Sequence, residues 1–281
     1  MSLFEQALSH IAVRAEKLDG DYVKDGLIYC GKCNTPKETK IKIGDVPETI
    51  VRCLCECAKK EEEKHEQQAK VNARRESIVE SIQDLASIGA GRMPRFSFDM
   101  CDGSNKALAE RMKKYAKNFD AVYEKNIGLI LYGNTGAGKT FFAECIADAL
   151  IKNGRFALIT SVSGIVNAMT ANFNENSARL LNYIKNVDLL ILDDYGTERD
   201  TSFMNEHLFD IIDARYTSGR PMIITTNFSP EAMKANTSIH VRRIIERLTE
   251  SCVAIEVKGE SRRGVKANEK IQQLQDIFRE G

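Results

Sequence analysis

The 281 residues predict an α/β chain, a three-layer sandwich around a mostly parallel sheet, preceded by a small cysteine-rich module and a charged helix. Three features carry that reading. From about residue 127, short apolar runs ending in polar or turn residues alternate with segments of helical periodicity, the pattern of strands crossed by helices. Five of the eight cysteines fall between positions 30 and 57. The stretch that follows them has no Pro or Gly until residue 89 and mixes charges of both signs.

Composition bounds the rest. With 43% hydrophobic and 28% charged residues the chain reads as globular. No apolar run approaches the ~20 residues of a bilayer span, so no membrane role is expected. The start, MSLFEQALSHIAVRAEKL, lacks the basic-then-apolar layout of a signal peptide, and a cytoplasmic protein is expected. There, clustered cysteines point to metal rather than to disulfides. The 40 basic and 40 acidic residues cancel. Up to residue 91 there are 14 basic and 16 acidic side chains, and beyond it 26 and 24. Neither part is a general nucleic-acid coat, so any nucleic-acid contact is local.

The cysteines read YCGKC, then nineteen residues, then CLCEC. Two thiolate pairs separated by a loop of that length suit a tetrahedral zinc site. Cys30 and Cys33 form a CxxC knuckle in which Gly31 allows the turn. In the second half, alternate residues of a strand share a face, so Cys53 and Cys55 or Cys55 and Cys57 could pair. The preferred set is Cys30, Cys33, Cys55 and Cys57, with Cys53 spare. Few large apolar residues surround these ligands, so a metal has to supply the stability. Cys101, Cys145 and Cys252 are isolated and are read as buried apolar residues. KKEEEKHEQQAKVNARRESIVESIQDL is read as a long solvated helix, and SIGAGRMPRF, near 88–95, as the junction. The expected division is therefore 1–60, 61–95 and 96–281.

GLILYGNTGAGKTFFAECIADAL carries the chemistry. An apolar strand, Leu129 to Tyr132, runs into Gly133, Asn134, Thr135, Gly136, Ala137, Gly138, Lys139 and Thr140, and a helix follows. This is the phosphate-binding loop in sequence and context. Its glycines let backbone N–H groups point at phosphate oxygens. Lys139 is placed to reach the β- and γ-phosphates of ATP, and Thr140 to offer its hydroxyl to Mg²⁺. DLLILDD supplies the acidic strand end, with Asp193 on the metal side and Asp194 where a base orients the attacking water. PMIITTNF is a buried-type strand that puts Thr226 or Asn227 beside the γ-phosphate if it neighbours the acidic strand. In VRRIIERLTES, Arg243 and Arg247 are four apart and share a helix face. Arginine completes phosphoryl-transfer sites, often across a subunit boundary. Arg262 and Arg263 offer a weaker phosphate or interface contact. Strands are expected near 127–132, 155–160, 188–193 and 221–226, and helices over 139–152, within 162–186 and over 203–218.

With GNTGAGKT, LLILDDYGTE, TTNF, RRIIERL, the MPRF junction and the cysteine-rich front, the chain resembles the AAA+ ATPases of the DnaC and DnaI helicase-loader type. The stretch from Ser161 to Leu190 resembles the helical insertion of that branch. Similar short chains occur among phage replication proteins. The resemblance implies that the N-terminal module docks on a hexameric DnaB-type replicative helicase. It also implies that the ATPase part self-assembles around single-stranded DNA with ATP between subunits. It makes Asn227 the position called sensor 1 and puts Arg243 and Arg247 in the arginine-finger helix, with Arg243 slightly favoured. It places Phe173 and Phe203 near the DNA. Two departures stand out. Many relatives carry Glu where this chain has Asp194, one methylene shorter, which suits slow or partner-stimulated ATP hydrolysis. The end from about 259 is too short for a full lid, so no sensor 2 arginine is assigned. Transposition helpers of the IstB type, which share the ATPase core but usually lack the cysteine front, and a non-hydrolysing helicase adaptor are the alternatives.

Overall fold

A computed structural model describes residues 14–42, 47–171, 176–197, 201–235 and 239–259, together with Leu274, Ile277 and Phe278. The chain forms two compact units, which part between Asn72 and Ala73.

In the first unit two short antiparallel hairpins replace a core. β1 (Tyr22–Lys24) pairs with β2 (Leu27–Tyr29), and β3 (Glu38–Ile41) with β4 (Thr49–Arg52). The hairpins are tied by charge rather than by apolar area. Glu38 is 1% exposed. It accepts from the Arg14 side chain and from the backbone of Ala15 and Ile28. Its carboxyl is held down to about 2, first by the Arg14 hydrogen bonds and against the cost of burial. Asp21 accepts from Lys37, Leu18 and Gly31 and is likewise held at about 2, chiefly by Lys37. Gly31 is required by close approach: a Cβ there would run into the Gly20 carbonyl. The expected turn also forms, over residues 31–33, with the Asn34 N–H on Cys30 O at 2.9 Å.

The helix α1 (Glu56–Ser87) begins inside the cysteine run. Its middle is exposed, His65 included, but Ile78, Ile82 and Leu85 are buried. Its last three turns therefore carry one face into the core, while the rest of the helix is solvated as expected. Helical spacing of three apolar side chains (i, i+4, i+7) overrides the high charge around them.

The second unit is built on five parallel strands in the order β6-β7-β8-β5-β9. They are β5 (Gly128–Tyr132), β6 (Ala157–Thr160), β7 (Leu189–Tyr195), β8 (Met222–Thr226) and β9 (Cys252–Glu256). Each of the first four contains an apolar run, as strands covered on both faces must. Their side chains alternate between two clusters. Leu129, Leu131, Ile191 and Ile223 face one side, against α2 (Lys106–Lys117), α3 (Phe119–Glu124) and α4 (Lys139–Lys152). Ile130, Leu190, Leu192 and Ile224 face the other, against α5 (Val162–Ala171), α6 (Asn176–Asn186), α7 (Ser202–Thr217) and α9 (Ile239–Ser251). A short α8 (Pro230–Lys234) follows β8. This is the expected three-layer α/β sandwich, with every described strand of the sheet parallel.

β9 was not expected. It is an edge strand in which Val253 and Ala254 are exposed, so it lacks the unbroken apolar run that marked its neighbours. It follows α9 without an intervening turn. At the other end of the strands Arg215, fully buried, donates to the carbonyls of Ile184, Val187, Asp188 and Pro221. Burial lowers its pKa to about 9.

Candidate nucleotide site and cysteine cluster

The order of the sheet puts the carboxyl ends of β5, β7 and β8 side by side, the place where parallel sheets bind ligands. From the end of β5 the loop Gly133–Thr140 curls back over it. Gly133, Gly136 and Gly138 have φ of 144°, 85° and 103°, conformations open to glycine. A Cβ on Gly133 would also lie 2.5 Å from the Val257 carbonyl oxygen. Asn134, Thr135 and Ala137 complete the loop, and the Ala137 N–H closes it onto Asn134 O at 3.2 Å. Lys139 opens α4 and is 5% exposed. Its Nζ donates to Gly133 O and Asn134 O, both at 2.9 Å, and to Asn227 Oδ1 at 2.8 Å. Because Asn227 follows β8 directly, the amide and the lysine meet only through the sheet.

Asp193 lies at the end of β7, where the register with β8 slips between Leu192 and Tyr195. Its Oδ1 accepts from Thr140 Oγ1 and Thr225 Oγ1, both at 2.8 Å. The loop threonine and the acidic residue are thus already joined. Asp194 is exposed, with a φ of 57° that is uncommon for a non-glycine residue. Thr225 Oγ1 accepts from its N–H at 2.8 Å. The slip leaves both aspartates out of the ladder: Asp193 turns in to the hydroxyls of Thr140 and Thr225, and Asp194 turns out to solvent. Thr226 bonds Tyr195 O and is buried, so of the two candidates after β8 it is Asn227 that reaches the lysine.

Two arginines of the junction, neither singled out there as a site residue, complete the surroundings. Arg92 Nη2 donates to Asp193 Oδ2 at 3.0 Å. Its Nη1 lies 2.6 Å from Glu144 Oε1, an ion pair whose N–H direction misses a hydrogen bond. Arg95 binds Glu144 through its backbone N–H at 2.7 Å and its Nη2 at 2.7 Å. Glu144 is fully buried on α4. Burial alone would push its carboxyl up, but Arg95 and then Arg92 outweigh it and hold the group below its ordinary value. Sequence patterns could not flag this set, since Arg92 and Arg95 precede Glu144 by about fifty residues. Beside α4, a cavity of about 380 Å³ is lined by Asp102, Asn105, Lys106, Phe141 and Phe142 among others.

In the first unit the sulfurs of Cys30, Cys33, Cys55 and Cys57 all lie within 4.8 Å of one another. Cys30 and Cys57 are 3.6 Å apart, and Cys55 and Cys57 3.3 Å. Cys53 turns away toward the Pro36 carbonyl. Strand alternation is not the reason. β4 ends at Arg52, and Cys57 stands in the first turn of α1. Thr35 ties the two halves, accepting from the Glu56 N–H at 2.9 Å and lying 3.1 Å from the Cys33 sulfur. That hydroxyl is the main cause that lowers the Cys33 thiol to about 5, whereas Cys57 is pushed up to about 12, first by Cys55. Four soft donors at these separations fit a tetrahedral metal such as zinc.

A family model described as "IstB-like ATP binding protein" matches residues 96–270. The chain belongs to that family. Nucleotide binding goes with this IstB-like membership, and the phosphate-type loop lies inside the matched region. The chain is 31% identical over 152 residues to the replicative helicase loader DnaC of Escherichia coli K12, covering 53% of this chain and 59% of that protein. It is 28% identical over 176 residues to the replicative helicase loader DnaI of Bacillus subtilis, covering 59% and 56%. It thus spans little more than half the length of these curated relatives. A crystal structure of DnaI superposes with a TM-score of 0.48 at 28% identity, covering 60% of this chain and 90% of that one.

Three of the remaining candidates in the IstB-like unit fall on described residues. Arg247 is held within its own chain, 2.6 Å from Asp213 Oδ1 and stacked 4.4 Å from the Phe209 ring centre. Arg243, one turn earlier on α9, is exposed. Phe203, in the first turn of α7, is 51% exposed and stacks edge-on with His207. Phe173, Arg262 and Arg263 lie outside the described residues. Cys145 and Cys252 are buried as expected, but Cys101 only partly. Among the described residues no helix is long and apolar enough to cross a membrane.

Proposed function

We propose that this chain is an ATP-dependent loader. It binds a hexameric DnaB-type replicative helicase and delivers it onto single-stranded DNA, with ATP binding and hydrolysis switching assembly and release. The similarity to proteins named replicative helicase loaders carries the reading, and the Lys139–Asn227 and Thr140–Asp193 contacts support its ATP chemistry. Residues 1–60 serve as the helicase-docking module, 61–95 as a connector whose part from Ile78 on packs into the second unit, and 96–281 as the ATPase, acting in the cytoplasm.

The chain's own groups do the following. The backbone N–H groups of Gly133–Thr140 and the α4 N-terminus receive the phosphates. Lys139 swings from its carbonyl partners to the β- and γ-oxygens, while Asn227 keeps hold of the lysine or the attacking water. Asp194, free of the ladder, orients that water and accepts its proton. Thr140 and Asp193 would hold Mg²⁺, which supplies charge neutralisation across the β- and γ-phosphates. Arg243 is the better finger toward a neighbouring subunit, since Arg247 is tied to Asp213 and Phe209. Phe203, and Phe173 beyond the described residues, contact DNA bases by stacking. Cys30, Cys33, Cys55 and Cys57 would hold zinc, which supplies the folding energy that the small first unit lacks.

Gel filtration with a DnaB-type helicase tests the whole. The full chain should co-elute with it, and a chain starting at Ala73 should not. The cut has to precede Ile78, because that residue, Ile82 and Leu85 belong to the second unit's core. Co-elution with a transposase instead would favour the IstB-type helper. Asp194→Asn should bind ATP and cease to turn it over; undiminished hydrolysis would remove Asp194 from the mechanism.

A further inference from the structure

The chain from Ile88 to Arg95 belongs to none of the nucleotide motifs, yet it closes over the acidic end of β7. The Ala90 N–H bonds Leu85 O at 2.8 Å, and the Arg92 N–H bonds Ile159 O at 3.0 Å as an isolated antiparallel bridge on β6. Between them Gly91 is wedged in: a Cβ there would lie 2.8 Å from Leu158 Cδ1. These contacts aim the Arg92 guanidinium at two carboxylates, with Nη2 on Asp193 Oδ2 and Nη1 beside Glu144 Oε1. A cavity of about 150 Å³ lies between Gly89, Gly91 and Arg92 on one side and Thr160, Asp193 and Asp194 on the other.

We infer that Arg92 is a latch that competes with nucleotide-bound Mg²⁺ for the Oδ2 side of Asp193, so that metal-nucleotide binding has to release Arg92 from β7. The inference rests on the ATP reading above. Asp193 Oδ1 already accepts two hydroxyls at 2.8 Å, so Oδ2 is the oxygen left for a cation, and the guanidinium stands on it. A divalent cation brought to that oxygen meets a like charge at contact range, in a site where Asp193 is only 14% exposed and screening is weak. Release does not strand the arginine. Glu144, wholly buried, keeps it as a counter-ion. The guanidinium fork can span both carboxylates or retire to one, which gives the two arrangements that a switch requires.

The test is the metal dependence of nucleotide affinity, measured as the Kd of a non-hydrolysable ATP analogue in EDTA divided by its Kd in Mg²⁺. Arg92→Gln should raise that ratio roughly tenfold, the size of an ordinary coupling between sites. A merely structural loss would weaken both affinities alike and leave the ratio in place. Arg92→Lys keeps a charge for Glu144 but loses the fork; it should raise the ratio too, and it serves if Arg92→Gln fails to fold. An unchanged or lowered ratio in the Arg92 variants would overturn the latch. Failure of the wild-type protein to bind the analogue at all would instead overturn the nucleotide site itself.

Discussion

Lys139 Nζ and Asn227 Oδ1 meet at 2.8 Å across 88 positions of sequence. The lysine opens the helix after the phosphate loop and the amide closes the strand next to β5, so one hydrogen bond ties the two motifs together. Lys139→Ala should weaken ATP binding on the order of a hundredfold or more, since charge-assisted bonds to phosphate are lost. Asn227→Ala should change ATP affinity only a few-fold while turnover falls on the order of a hundredfold, as expected when one polar group aimed at the reacting phosphate is removed. Equilibrium binding with single-turnover kinetics separates the two effects.

Cys53 points to the Pro36 carbonyl while the other four clustered sulfurs converge. Metal analysis of freshly reduced protein should find about one zinc per chain. Cys55→Ser and Cys57→Ser should lose it, and Cys53→Ser should keep it. Chelation should unfold residues 14–72, because so small a unit draws its stability from the metal. The second unit should keep its melting transition.

Glu144 is a buried carboxylate whose pKa the two arginines hold below its ordinary 4.5. A depressed folded-state pKa adds stability above the unfolded value and loses it as pH falls through the folded one. At neutral pH Glu144→Gln should therefore cost about 3 kcal/mol, since Arg92 and Arg95 lose their counter-ion. The gap between variant and wild type should narrow as pH drops below about 4.5. Urea unfolding of the second unit at several pH values reads this directly; a gap that stays constant with pH would mean that the carboxylate's charge is not the source.

Phe203 stands 51% exposed on α7. If it stacks on a base, Phe203→Ala should weaken single-stranded DNA binding about tenfold, the worth of one stacked base. The wild-type affinity should fall steeply with salt, because phosphate contacts release counterions. Fluorescence anisotropy with a labelled oligonucleotide measures both.

Much of the fold was legible because parallel strands buried on both faces have to be unbroken apolar runs. GLILY, ALIT, LLIL and MIITT are such runs, and each falls on a strand. β9 escaped because an edge strand needs no such run. The charged helix was half legible. Its charges are real, but three apolar side chains at helical spacing decide where its last turns go. In the site, the loop and the acidic strand end were readable because their chemistry is carried by consecutive residues. Arg92 and Glu144 were not, because nothing in the stretch around either marks the other as its partner.

The sequence by itself determined the α/β class, the phosphate-type loop, the acidic pair and the cysteine cluster. All of these are encoded in short-range spacing and in the periodicity of burial. Only the tertiary structure decided that Cys53 stands aside, that Asn227 reaches Lys139, that Arg247 is spent on Asp213 and Phe209, and that Arg92 bridges Asp193 and Glu144. The physical reason is the same in each case. A hydrogen bond or ion pair depends on atoms a few ångströms apart, and strand order and packing bring those atoms together from positions that the sequence keeps far apart or leaves equivalent.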